Sequence, residues 1–66
     1  MKNRLKIARA ELDITQEELA KLIGVSRQTI NAVESARYVP STVLALKMAQ
    51  VFGKKVEELF LLEDKD

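Results

Sequence analysis

Residues 15–34, TQEELAKLIGVSRQTINAVE, constrain the fold more than any other part of the sequence. Thr15 and Glu18 have the spacing of a capping box, in which each side chain satisfies a backbone N–H at the start of a helix. Gly24 tolerates a positive φ and therefore predicts a turn at the end of that helix. Ser26 can cap a second helix. The segment thus predicts two short amphipathic helices joined by a tight turn.

Apolar spacing predicts three more helices, which makes five in all. The first runs from about Lys2 to Leu12, the fourth covers Thr42 to Phe52, and a short fifth helix follows Gly53. Residues expected to face the core from the first, second and last helices are Leu5, Ala8, Leu12, Leu19, Ala20, Leu22, Ile23, Val56, Leu59 and Phe60. Before the fourth helix, Pro40 disfavours a helical conformation for Val39, and Ser41 can act as the cap.

The second helix of the central segment, residues 27–35, has one almost continuous polar face. At about 100° per residue, Arg27, Gln28 and Asn31 fall on this face, together with Ser35 and the small residue Ala32. Arginine can pair with guanine, glutamine and asparagine with adenine, and an alanine methyl with the thymine methyl. The alternative is an ordinary solvated face, but such faces usually mix lysine and glutamate, and this one contains neither. The pattern favours reading of DNA bases.

Composition excludes several other classes of protein. The 66 residues are expected to form a single domain, 1–66, and they include no cysteine and no histidine. This composition excludes a disulfide framework and the usual zinc sites, so no metal and no cofactor are expected. The apolar runs are far shorter than the roughly 20 residues that span a bilayer. The first four residues lack the apolar stretch of a signal peptide, so a cytoplasmic protein without membrane contact is expected.

The net charge of +1 conceals an uneven distribution along the chain. Residues 1–9 carry four bases and no acid, whereas residues 57–66 carry five acids and one lysine. Between Ser26 and Lys55 there are five bases and one acid. A DNA-facing surface could therefore be locally positive although the total charge is low.

Several motifs together resemble the Cro/phage-repressor family of helix-turn-helix proteins. They are TQEELA at 15–20, Gly24-Val25-Ser26, Ile30 with Glu34, Pro40-Ser41 and LALKMA at 44–49. The resemblance extends from Leu5 to Phe60, and it is greatest to short stand-alone members such as the cytolysin-operon repressor. It implies an all-α fold, a compact five-helix bundle of the lambda-repressor-like DNA-binding type, with the helix-turn-helix motif at 15–34. Ala36 departs from many relatives, which have glycine or asparagine there.

The sequence and this resemblance together assign roles to individual residues. Arg9 lies within the apolar stripe of the first helix and Glu34 at the edge of the inward face of the third, so we expect a structural ion pair. The resemblance implies the same pair. The expected base-reading residues are Ser26, Arg27, Gln28, Asn31 and Ala32. The expected phosphate contacts are Gln16, Thr29, Arg37 and Tyr38, although Tyr38 could instead pack its ring on the loop.

The last apolar residues predict an interface between two copies of the chain. A surface containing Leu59, Leu61 and Leu62 would be exposed on a monomer, and exposed apolar patches usually mark an interface. We therefore expect a homodimer built on residues 56–62, Val56 included, with a short terminal strand as one form that this segment could take. The alternative is a frayed end that folds back on the first helix.

The leading hypothesis is a transcriptional repressor that binds an inverted-repeat operator in double-stranded DNA as a homodimer, inserting helix 27–35 into the major groove. The alternatives are an antitoxin-type autorepressor and a protein-interaction module that retains the fold without DNA binding. An enzyme is not expected, because the chain has no cysteine or histidine and no glycine-rich phosphate loop. No small-molecule ligand is expected either.

Overall fold

A computed structural model describes residues 1–66 as five helices and one two-stranded antiparallel sheet. The elements in chain order are β1 (Lys2–Asn3), α1 (Leu5–Leu12), α2 (Gln16–Ile23), α3 (Arg27–Glu34), α4 (Thr42–Phe52), α5 (Val56–Leu59) and β2 (Phe60–Leu61). The predicted five-helix bundle is confirmed. None of the helices has both the length and the apolar character needed to cross a membrane.

Side-chain caps and left-handed glycines set the ends of α2 and α4 and the start of α3 where the sequence predicts them. The capping box of α2 is complete: the Glu18 N–H donates to Thr15 Oγ1 at 3.0 Å, and the Thr15 N–H donates to Glu18 Oε1 at 2.9 Å. Ser26 and Ser41 cap α3 and α4 by accepting a backbone N–H three residues on. Gly24 ends α2 with φ at 76°, a left-handed conformation that glycine adopts without steric cost.

One apolar cluster joins all five helices and β2. Its 13 buried residues are Leu5, Ala8, Leu19, Ala20, Ile23, Ile30, Val33, Leu44, Met48, Ala49, Phe52, Leu59 and Phe60. The aromatic contribution is small, so aliphatic packing supplies most of the apolar burial. α2 packs mainly against α3, and α4 lies against α1, α2 and α5. Helix α2 therefore connects α3 to α4, which in turn lies against α1 and α5.

Two leucines that were expected in the core are exposed. Leu12 is 47% and Leu22 62% exposed. In α2 the buried residues Leu19, Ala20 and Ile23 occupy an arc of about 100°, and Leu22 lies about 60° beyond the edge of that arc. Leu12 is the last residue of α1, directly before Asp13 turns the chain with φ at 55°. In both α1 and α2, the apolar residues cover a wider part of the helix surface than the part that is buried in the core.

The first helix begins at Leu5, so the prediction of a start near Lys2 is wrong. Lys2 pairs with Leu61 and Asn3 with Phe60 in the antiparallel sheet, which we call the terminal ribbon (β1 with β2). The Asn3 side chain explains the break: its Oδ1 accepts the Leu5 N–H at 3.2 Å, in place of a helical bond. Its Nδ2 donates to the carbonyl of Val33 at 2.9 Å, at the end of α3. The terminal ribbon and α3 are therefore directly linked.

The expected exposed patch at residues 59–62 is smaller than predicted. Leu59 is 0% exposed and belongs to the core, so its assignment to a dimer surface is wrong. The short α5 turns Leu59 inward, and the antiparallel pairing that follows keeps Phe60 inside as well. Leu61 and Val56 are half-buried, whereas Leu62, which follows the terminal ribbon, is 83% exposed.

A Schellman motif ends α3. The Arg37 N–H donates to the Ala32 carbonyl at 3.0 Å and the Ala36 N–H to the Val33 carbonyl at 3.0 Å. Ala36 has φ at 62° and so occupies the left-handed region, where glycine is usual. A side chain with a Cβ costs about 1–2 kcal/mol in that region. The end of α3 is therefore a strained position.

Ala36→Gly should stabilise the protein because it removes this strain. Removing the strain contributes about 1–2 kcal/mol, which is more than the free-energy cost of the added backbone freedom of glycine in the unfolded chain. The free energy of unfolding should therefore rise by about 0.5–1 kcal/mol. Urea unfolding followed by circular dichroism measures it. Ala10→Gly is the matched control: Ala10 is exposed within α1 and helical, so the same change should destabilise by about 1 kcal/mol. Equal destabilisation by both changes would contradict the strain at Ala36.

Candidate nucleic-acid interface

The outward face of α3 carries the polar residues that the sequence singles out. Arg27, Gln28 and Asn31 are exposed, whereas Ile30 and Val33 on the opposite side are buried. Together with Ala32 and Arg37, the three exposed residues line a shallow concavity of about 440 Å³. Hydrogen-bond donors and acceptors therefore project from one side of a helix whose other side is anchored in the core.

A buried carboxylate anchors the end of α3. Glu34, whose side chain is 2% exposed, accepts hydrogen bonds from Arg9 Nε at 2.6 Å and from Arg9 Nη2 at 3.0 Å. Gln16 Nε2 donates to the same carboxylate at 3.2 Å. Arg9 Nη1 donates to the Ile14 carbonyl at 3.1 Å, so the guanidinium also ties down the turn between α1 and α2. The structure thus brings Arg9 and Glu34 together, and it adds Gln16 to the network.

This network orients α3 because side chains of three helices meet at one carboxylate. Hydrogen bonding to Glu34 raises the pKa of the Arg9 guanidinium above its already high usual value, so Arg9 is permanently charged. A bidentate arginine–carboxylate pair is directional as well as strong. Arg9 lies in α1, Gln16 in α2 and Glu34 in α3. The Glu34 carboxylate therefore fixes the relative positions of these three helices.

The residues expected at DNA phosphates occupy different environments. Thr29 is half-buried and its hydroxyl lies 3.0 Å from Ser26 Oγ, so both hydroxyls are engaged at the cap of α3. Gln16 is at the first position of α2, with its amide on Glu34. Tyr38 is exposed in the loop after α3.

Arg37 makes contacts that sequence reasoning missed. Its Nη2 donates to Asn31 Oδ1 at 2.8 Å and its Nε to Ser35 Oγ at 2.9 Å. The side chain therefore folds back along the exposed face of α3. The position of the Arg37 side chain could have been predicted from the chain reversal after α3. A left-handed residue directly after a helix reverses the chain, and the next side chain then contacts the last turn of that helix.

Comparison with known proteins agrees with this geometry. A family model described as helix-turn-helix matches residues 5–59, from the start of α1 to the end of α5. The chain belongs to the helix-turn-helix family. The expected resemblance to Cro/phage-repressor proteins is confirmed, and the matched range includes the capped pair α2 and α3 together with the helices that support it.

Two regulators are similar to this chain over nearly their whole length, and a phage protein over part of its length. An uncharacterized HTH-type transcriptional regulator of Methanocaldococcus jannaschii is 56% identical over 64 residues, covering 97% of each chain. The regulator YgzD of Bacillus subtilis is 46% identical over 66 residues, covering 100% of each chain. A protein of Bacillus phage phi105 named ImmF control region 10 kDa protein is 32% identical over 59 residues, which is 89% of this chain and 66% of the phage protein.

Family membership supports a DNA-binding regulator that is not an enzyme. No three or more histidine, cysteine, aspartate or glutamate side chains form a group that could hold a metal ion. The concavity on the exposed side of α3 is lined by Arg27, Gln28, Asn31 and Ala32 from the helix and by Arg37 from the loop that follows it.

Arg9→Met should destabilise the protein strongly because it leaves Glu34 buried without its ionic partner. Removing one member of a buried pair typically costs about 3–5 kcal/mol. Combining Arg9→Met with Glu34→Leu should recover most of that loss, because no unpaired charge remains. Urea unfolding of the two variants and the parent provides the comparison. A single variant that unfolds like the parent would show that the pair contributes nothing to stability.

Proposed function

We propose that the chain is a sequence-specific transcriptional repressor that binds double-stranded DNA through α3 in the major groove. The observation that carries the proposal is the two-sided character of α3. Ile30 and Val33 anchor it in the core, whereas Arg27, Gln28 and Asn31 project from its other side without an acidic neighbour among them. A major groove about 12 Å wide admits one such helix.

The proposed roles follow from the position of each side chain on α3. Arg27 and Gln28 lie in its first turn, where recognition helices of this motif contact base edges. An arginine recognises guanine and a glutamine adenine, each through two hydrogen bonds. Asn31 follows one turn later, Ala32 offers a methyl group to a thymine, and Ser26 stands at the cap.

Phosphate contacts are proposed at both ends of the motif. The first backbone N–H groups of α2 lack helical partners, so this end, next to Gln16, suits an anionic phosphate. Tyr38 is exposed beyond the other end of α3, where its hydroxyl can donate to a second phosphate. Thr29 stands beside Ser26 in the first turn of α3 and can add a third contact.

Specificity requires two copies of the chain. One recognition helix contacts only a few base pairs, too few to select one operator among millions of competing sites. Two copies related by a two-fold axis, with their α3 helices about 34 Å apart, would read an inverted repeat and add their binding energies. We therefore propose a homodimer acting on DNA in the cytoplasm.

The dimer surface that we propose is centred on Leu62 and includes the half-buried residues Leu61 and Val56. Leu62 projects from the end of the terminal ribbon with most of its surface in contact with water. A second exposed apolar surface lies at the start of α4, formed by Val39, Val43 and Leu46. Because the two surfaces belong to different elements, single substitutions can distinguish them.

Selection of bound sequences from a random DNA pool tests the proposal as a whole. The expected result is an enriched inverted repeat whose two halves are centred about one helical turn apart. Enrichment of a single half-site would contradict the dimer, and absence of any enriched sequence would contradict sequence-specific binding.

Gln28→Ala should reduce affinity for the selected site by about 1–3 kcal/mol, because the amide no longer pairs with a base. The preference at one base pair of each half-site should be lost, while affinity for unrelated DNA stays the same. Titrations of the selected site and of a scrambled site, at one salt concentration, measure both quantities. An equal loss on both sites would place Gln28 at a phosphate instead.

Leu62→Glu should give a folded monomer, because the exposed leucine contributes to the proposed interface and not to the core. Sedimentation equilibrium should show a mass near 7.5 kDa for the variant and about twice that for the parent. Val43→Glu, an equivalent change on the α4 surface, is the control and should remain dimeric. If Val43→Glu were monomeric and Leu62→Glu dimeric, the interface would lie on α4 instead.

A further inference from the structure

The side chain of Asn31 is held by a chain of hydrogen bonds that ends on the backbone of α3. Arg37 Nη2 donates to Asn31 Oδ1 at 2.8 Å, and Arg37 Nε donates to Ser35 Oγ at 2.9 Å. Ser35 Oγ in turn donates to the Ala32 carbonyl at 3.2 Å. The guanidinium therefore connects the middle of the exposed face to the end of the helix.

The backbone directs Arg37 to this position. The N–H groups of Arg37 and Tyr38 both donate to the Ala32 carbonyl, at 3.0 and 3.2 Å, and Ala36 reverses the chain with φ at 62°. The residue after this reversal starts beside the last turn of α3, so its side chain can extend back towards Asn31. The left-handed conformation of Ala36 is thus a condition of the contact between Arg37 and Asn31.

The contact changes which base Asn31 can recognise. An asparagine that reads adenine uses both ends of its amide: Oδ1 accepts from N6 and Nδ2 donates to N7. Here one lone pair of Asn31 Oδ1 accepts from Arg37 at 2.8 Å, so an adenine amino group that approached the second lone pair would lie beside the guanidinium N–H groups, donor next to donor. Apart from that second lone pair, the free groups of the pair are the Asn31 Nδ2 hydrogens and the remaining guanidinium hydrogens, all of which are donors.

Guanine is the base whose major-groove edge matches a set of donors. It presents two neighbouring acceptors, N7 and O6, whereas adenine presents one acceptor and one donor. The Asn31 amide and the Arg37 guanidinium can together occupy both acceptors.

We propose that Arg37 is a specificity-determining residue that fixes the amide of Asn31 and makes the pair read guanine. This inference rests on the proposed function, because it concerns how the same face of α3 recognises DNA. It assigns Arg37 a role at the bases through Asn31, in contrast to the phosphate contact that the sequence predicts. The two roles differ in what removal of Arg37 does to sequence preference.

The test is selection from a random DNA pool with the parent and four variants. Asn31→Ala identifies the base pair that Asn31 reads, as the position whose preference disappears. Arg37→Ala removes the guanidinium, and Ser35→Ala removes one of its anchors while leaving the charge in place. Arg37→Lys keeps the charge but lacks the planar fork that bonds two partners at once. Circular dichroism of each variant checks that helical content is unchanged.

The parent should select guanine at the position identified by Asn31→Ala. Arg37→Ala and Arg37→Lys should both shift that position to adenine, with a change in the guanine-to-adenine affinity ratio of at least about fivefold. Ser35→Ala should shift it in the same direction by a smaller factor.

Two results would overturn the inference while leaving sequence-specific binding intact. The first is selection of adenine by the parent at that position. The second is an unchanged base preference in Arg37→Ala, together with weaker binding to every sequence and a slope of log affinity against log salt concentration that is lower by about one. Arg37→Lys would then restore both the affinity and the slope. This is the behaviour of a phosphate contact. If the parent enriches no sequence at all, the proposed function itself fails, which is a separate outcome.

Discussion

The buried carboxylate of Glu34 is the group on which the arrangement of the helices depends. It accepts hydrogen bonds from side chains of α1 and α2 and is itself the last residue of α3. Aliphatic contacts tolerate some sliding of one helix over another, but a bidentate ion pair requires a defined distance and direction. Displacement of α3 would leave a charge without its partners in a site closed to water, which is costly. The direction in which α3 presents its polar face is therefore set from inside the protein.

The parts of the fold that depend on local chemistry could be predicted from the sequence. Thr15 with Glu18, Gly24, Ser26 and Ser41 each satisfy or redirect the backbone within a few residues, and the ends of α2, α3 and α4 follow from them. The bounds of α4, Thr42–Phe52, are as predicted for the same reason. Such signals act over short distances, so a single sequence contains all the information that they need.

The parts that depend on tertiary contacts could not be predicted. Lys2 and Asn3 have no preference for a strand, and they form one only because Phe60 and Leu61 lie beside them. Leu22 is as apolar as Leu19, and only the packing of α3 and α4 decides which of them is covered. In the candidate interface, the polar residues of α3 were identified from helical spacing, whereas the position of Arg37 depends on a backbone reversal at Ala36, where the sequence shows no glycine.

Asn3 gives the terminal ribbon an energetic connection to α3. Its amide donates to the carbonyls of Val33 and Glu34, at 2.9 and 3.4 Å, while its backbone belongs to β1. Opening of the ribbon would therefore withdraw a donor from the end of α3 and make that end fray more easily. Thermodynamic linkage makes the effect mutual. The coupling free energy by which the ribbon stabilises the end of α3 equals the one by which the end of α3 stabilises the ribbon. Binding at the end of α3 and binding at the terminal ribbon would thus each favour the other.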